Sequence, residues 1–164
     1  MAYPEPTFLM NRMTFAAIGL LVLSNDRAGH VDTLQDETQA LAAVQRLLTG
    51  WHDADTVVAG SVLHPMFRLL TLREVGTPQE EIQTDTRDRI QQTVSKLSVG
   101  AWEIRLQNPR ATVSGDGIAT VWGQYQFYIK GKINHCGIES YQLYKVRAGW
   151  QIVNFADTHH ACSS

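Results

Sequence analysis

Residues 118–157 read IATVWGQYQFYIKGKINHCGIESYQLYKVRAGWQIVNFAD. Apolar and polar side chains alternate here with period two, and the turn signals Lys130-Gly131-Lys132 and Arg147-Ala148-Gly149 cut the stretch into three long strands, 118–129, 133–146 and 150–157. These pair as an antiparallel meander, long enough to curve strongly. Just upstream, Ala101–Gln107 and Ala111–Val113 extend the sheet, with further turn signals at Asn108-Pro109 and Gly115-Asp116-Gly117.

Before residue 100 the period is helical. Leu34, Leu41, Val44, Leu48 and Trp51 fall on one stripe of a first helix, which the spacing starts at Asp32 or Thr33 as N-cap and ends or interrupts near Gly50. Asp55-Thr56 caps a short second helix that His64-Pro65 halts, because a residue before proline is pushed out of the α region. Phe67–Leu72 reads as a strand, 74–85 as a mobile loop that could serve as a lid, and Thr86–Leu97 as a third helix. Helices followed by a run of strands predict an α+β fold with the helices on one face of the sheet.

A chain of 164 residues makes one domain, expected over residues 32–162 after a leader of residues 1–31. The apolar run Thr14–Leu23 is short of the roughly 18 residues that span a bilayer, so no membrane anchor is expected. It reads as a retained N-terminal helix, which favours the cytoplasm, or as a cleaved signal peptide, which implies export. Fourteen basic and sixteen acidic side chains give a net charge of -2, which excludes the basic footprint of a nucleic-acid binder.

Register then says which side chains meet. A three-residue loop at 147–149 pairs Glu139 with Asp157 and Tyr141 with Phe155, and one at 130–132 pairs Phe127 with His135 and Tyr125 with Gly137. One face then collects Val121, Tyr125, Phe127, His135, Glu139, Leu143, Val153, Phe155 and Asp157, an apolar concave wall with ionisable groups at one end. The other face carries Trp122, Ile138, Trp150 and Ile152, and Trp122 and Trp150 there mark where a second copy would cover the sheet in a homodimer. A slip of one residue in either turn would exchange the faces.

Two opposed carboxylates on a half-buried sheet cannot both ionise cheaply, so Glu139 and Asp157 are expected to share a proton or to recruit His135 as counter-charge. That supplies acid/base capability, with Tyr125 as oxyanion donor and His64, at the end of the second helix, reaching the cavity mouth. Trp51, Val121, Phe127 and Phe155 are the expected ligand-binding wall. His159 and His160 are neighbours on a strand and point to opposite faces, so with His135 they give no convergent ligand set; neither metal nor cofactor is expected. Cys136 opposes His160, which leaves Cys162 on a diagonal of about 7–8 Å, just beyond disulfide reach unless a bulge or frayed tail closes it. Export would suit the bond; a cytosolic protein would keep free thiols.

The segments His135-Cys136-Gly137-Ile138-Glu139-Ser140, Gly149-Trp150-Gln151-Ile152 and Ala156-Asp157-Thr158, with Leu63-His64-Pro65 after two helices and Trp102 opening the sheet, resemble the nuclear transport factor 2-like (NTF2-like) superfamily, and within it the SnoaL-like branch and the branch labelled lumazine-binding. The resemblance, from about Thr33 to Cys162, implies a cone: a strongly curved antiparallel sheet wrapped around three helices, a deep apolar pocket, and dimers through the outer sheet face. It does not carry one function. Ketosteroid isomerase and the polyketide cyclases of the superfamily use a pocket Asp as base, for which Asp157 is the nearest in kind. The expected function is binding of a small hydrophobic or aromatic molecule. The alternatives are a cofactor-independent isomerase, cyclase or dehydratase with Asp157 or Glu139 as base and His64 or His135 as shuttle, and a non-catalytic dimeric accessory protein.

Overall fold

The computed structural model describes residues 26–115 and 117–162, with side chains from residue 33 onward. The run Thr14–Leu23 and its processing lie outside the described residues.

Helix α1 (Asp26–His52) buries Ala40, Val44, Leu47, Leu48 and Trp51 along one stripe. It runs through Asp32 and Thr33, so neither is its N-cap; the glycine at position 29 costs a helix only about 1 kcal/mol and does not stop it. Nor does Gly50 end it. A Cβ at Gly50 would lie 2.5–2.9 Å from Ala59, so glycine there lets α1 and α2 (Thr56–Ser61) touch backbone to backbone. Asp55 caps α2 as expected, its Oδ1 accepting from the amides of Val57 and Val58 at 2.9 Å.

His64-Pro65 is not the end of a helix facing a cavity. The dipeptide lies at the irregular start of β1 (Leu63–Arg73), since proline pushes its predecessor into the extended region that a strand needs. The expected lid is replaced in its second half by β2 (Glu81–Thr86), an edge strand paired with β1. Thr86 then caps α3 (Arg87–Val94), which buries Ile90 and Val94. Strands β3 (Trp102–Ser114), β4 (Ile118–Ile129), β5 (Lys132–Val146) and β6 (Gly149–His159) complete one six-stranded sheet in the order β2-β1-β6-β5-β4-β3. Neighbours are antiparallel except β1 and β6, which run parallel. Asn108-Pro109 is a bulge within edge strand β3 rather than a turn, and it bends over Gly123, where a Cβ would be 3.0 Å from the Gln107 carbonyl.

Both hairpin loops are one residue shorter than the three-residue reading. Ile129 pairs with Lys132 and Val146 with Gly149, and each shortening alone would exchange the faces. A bulge restores the register in each strand pair, at Asn134 before Phe127–His135 and at Val153 before Gln142–Asn154. Beyond the bulges Glu139 faces Asp157 and Tyr125 faces Gly137 as predicted. Between the last turn and its bulge the faces are reversed. Trp150 and Ile152 therefore point into the core, 5% and 0% exposed, and Trp150 offers nothing to a partner. Trp122, Ile138 and Tyr144 remain exposed. The result is the expected α+β cone, with helices and concave sheet closing on Leu47, Phe67, Tyr141 and Leu143.

Candidate functional site

A cavity of about 310 Å³ lies between the helices and the sheet. Trp51 from α1, Ile90 from α3, and Leu69, Trp102, Ile104, Phe127 and Phe155 from the sheet form apolar walls; Tyr125, His135, Glu139, Asp157 and His159 gather at one side. Of the residues expected here, Asp157, Glu139, His135, Tyr125, Trp51, Phe127 and Phe155 line it. Two do not. Val121 is fully buried in the core beneath, and His64 is half-buried on β1, its Nδ1 accepting from the Met66 amide at 3.1 Å.

The polar side exists because Gly137 has no side chain. Tyr125 faces Gly137 across β4 and β5, so its phenol passes over β5 and reaches β6, where the hydroxyl lies 3.2 Å from Asp157 Oδ2 and 3.1 Å from the Thr158 carbonyl. A Cβ at Gly137 would collide with that carbonyl and come within 2.8 Å of Tyr125 Cε1. Beside it the His135 ring stacks on His159, centroids 3.7 Å apart. His159 Nε2 lies 2.8 Å from Asp157 Oδ2, and His135 Nε2 lies 2.9 Å from the Tyr125 hydroxyl. Asn134, the bulge residue, meets His135 Nδ1 at 2.8 Å.

The opposed carboxyl groups have different hydrogen-bond partners. Glu139 is fully buried, accepts from the Tyr141 hydroxyl at 2.6 Å, and leaves Oε1 without a partner. Burial pushes its pKa up to about 8, with the nearby Asp157 charge adding to the rise, so it carries its proton at neutral pH. Asp157 recruits His159 rather than His135. His135 is held down to about 4, first by burial and then by His159, and is a neutral imidazole at pH 7. Burial and the charge of Asp157 raise the Tyr125 phenol, which stays a hydroxyl. The site therefore offers a neutral acid, a neutral imidazole, a phenol hydroxyl and the Asp157 carboxyl group, whose Oδ2 meets Tyr125 and His159 and whose Oδ1 is buried and unpartnered.

His159 is the main residue the sequence reading missed. Its adjacency to His160 argued against it, yet Asp157 and His159 are two apart on one strand and share a face. Arg73, Gln83 and Asp85 were hidden because their walls belong to the β1–β2 hairpin read as a loop. Cys136 and Cys162 are joined, with Cα atoms 5.0 Å apart: the backbone past His160 leaves the strand and closes the diagonal. No described helix is long and apolar enough to cross a membrane.

No family model and no curated protein matches the sequence. Solved structures do. A protein with a cystatin-like fold from Novosphingobium aromaticivorans superposes with a TM-score of 0.66 at 16% identity, over 89% of this chain and 95% of that one. The fold is NTF2-like. An NTF2-like superfamily protein from Salmonella enterica serovar Typhimurium gives a TM-score of 0.55 at 18% identity over 75% and 89%. A proposed dehydratase of the NTF2-like family from Streptomyces avermitilis gives 0.59 at 12% over 78% and 98%. At these identities the likeness carries the cone and leaves its chemistry to the residues inside it.

Proposed function

We propose that this NTF2-like protein binds a small, mainly apolar or aromatic molecule in the cone and holds one polar group of it at Asp157. The carrying observation is the unpartnered, buried Oδ1 of Asp157 at the edge of an aromatic-walled cavity. A buried acceptor left unmet costs about 1–3 kcal/mol, which a ligand hydroxyl would recover. Two probes test this, 2-naphthol and naphthalene, followed by quenching of Trp51 and Trp102. Both should bind saturably, and Asp157→Ala should weaken 2-naphthol about tenfold while sparing naphthalene. Failure of both probes to saturate overturns the reading.

A second reading, catalysis without a cofactor, is favoured by the opposite displacements of Glu139 and His135. Isomerisation or dehydration needs a base beside a carbonyl-activated carbon and an acid for the receiving or leaving oxygen. In this reading Asp157 is the base and neutral Glu139 or Tyr125 the donor; the proposed dehydratase among the fold neighbours is consistent with this. Its test is solvent-deuterium incorporation next to the carbonyl of 2-tetralone, expected with the native protein and lost in Asp157→Asn. The SnoaL-like or lumazine-binding affiliation fits a ligand-holding cone. Pairing with a second copy would use the outer face at Trp122, Ile138 and Tyr144, and Trp122→Asp with sedimentation velocity tests it.

A further inference from the structure

The polar side of the cavity gathers more nitrogen donors than holding an apolar molecule requires. We propose that His135, Asp157 and His159 form a binding site for one divalent first-row transition ion of the Zn2+ type. One donor atom from each of the three residues lies within 4.8 Å of the other two, and His159 Nε2 and Asp157 Oδ2 are already 2.8 Å apart. An ion about 2.0–2.2 Å from each donor needs donors roughly 3 Å apart, so binding requires the His135 ring to tilt out of its stack on His159 and turn its lone pair toward the ion. Two imidazoles and one carboxylate suit first-row ions and not Mg2+ or Ca2+, which prefer all-oxygen shells.

Several features of the fold prepare this arrangement. Asp157 and His159 share a face of β6, and the His135 ring lies against His159. Asn134 Oδ1 engages the far nitrogen of His135 at 2.8 Å, the outer-shell contact that fixes the orientation of a metal-binding imidazole. The Cys136–Cys162 bond ties down the chain beside His135 and just beyond His159. Three protein ligands leave a position open, and the Tyr125 hydroxyl, 2.9 Å from His135 Nε2 and 3.2 Å from Asp157 Oδ2, is an oxygen close to it. Arg73 lines the same cavity and its charge reaches His135, so it opposes a cation; it is exposed, and added salt weakens that opposition.

The site shares Asp157 with the apolar-ligand reading but does not rest on it, and is tested with metal alone. The full chain, stripped with chelator, is titrated with CoCl2 and ZnCl2 and followed by calorimetry and by the visible d–d bands of Co2+. One ion per chain is expected, with binding weakened at least tenfold in His135→Ala and in His159→Ala and unchanged in His160→Ala, whose ring lies outside the set. If His159→Ala does not fold by circular dichroism, His159→Gln replaces it. Absence of saturable binding, or binding that survives both ligand variants, overturns the site. Quenching by 2-naphthol in the stripped protein reports the cavity separately, so either proposal can fail without the other.

Discussion

Glu139 and His135 pull the pH dependence of stability in opposite directions. The folded pKa of Glu139, about 8, is above that of a free carboxylate, so between about pH 4.5 and 8 the native state holds a proton that the unfolded chain has lost. Its contribution is complete below that window and is lost as pH rises through it. The folded pKa of His135, about 4, is below that of free imidazole, so its contribution is complete above about pH 6.5 and is lost as pH falls. Above 6.5 only the Glu139 slope remains. The melting temperature should therefore fall from pH 6.5 to 8 in the native protein and stay nearly flat in Glu139→Gln; an equal fall in both would show that Glu139 is not the titrating group. The opposition of Glu139 and Asp157 was legible from hairpin spacing, whereas the raised pKa of Glu139 was not, because it comes from complete burial against the resistance of the Tyr141 hydrogen bond, and burial is set by packing.

At the scale of elements, β5 organises the site through Gly137 and closes it through Cys136. Gly137→Ala drives a methyl into the Thr158 carbonyl and the Tyr125 ring. It should destabilise the protein by at least the ~1–3 kcal/mol of an overpacked core, and should abolish the Tyr125-to-Asp157 contact even in a folded remnant. Urea denaturation and the ring resonances of Tyr125 measure the two effects. The disulfide spans 26 positions of sequence, and loop entropy alone assigns it about 3.5 kcal/mol. Reduction, or Cys136→Ser with Cys162→Ser, should lower the denaturation midpoint by a matching amount; an unchanged midpoint would mean that the tail is held by other contacts. The bulges at Asn134 and Val153 show why strand reading succeeded at one end of the sheet and failed at the other. Each hairpin is a residue tighter than expected, and each bulge cancels that error only beyond itself, so Glu139, Tyr125 and Asp157 were placed correctly and Trp150 was not.

For the whole molecule, the distinction that matters is between the packed core and the hollow above it. Leu47, Phe67, Tyr141 and Leu143 fill the closed part of the cone, while Ile104 and Leu69 border open space. Ile104→Trp should fill that space, remove 2-naphthol binding and move the melting temperature by only a few degrees, since added volume meets a cavity rather than packed atoms. Strong destabilisation instead would mean that no room exists there. The sequence by itself determined the α+β order, the helical stripe ending at Trp51, the long curved strands and the inward set around Tyr125, because periodicity and turn chemistry are local properties of the chain. Only the tertiary structure decided that 81–86 is a strand, that Trp150 is buried, that His64 and Val121 stand outside the cavity, and that His159 joins His135 and Asp157. Those outcomes depend on bulges, a missing Cβ and a parallel partner strand, whose effects appear only when distant segments are packed together.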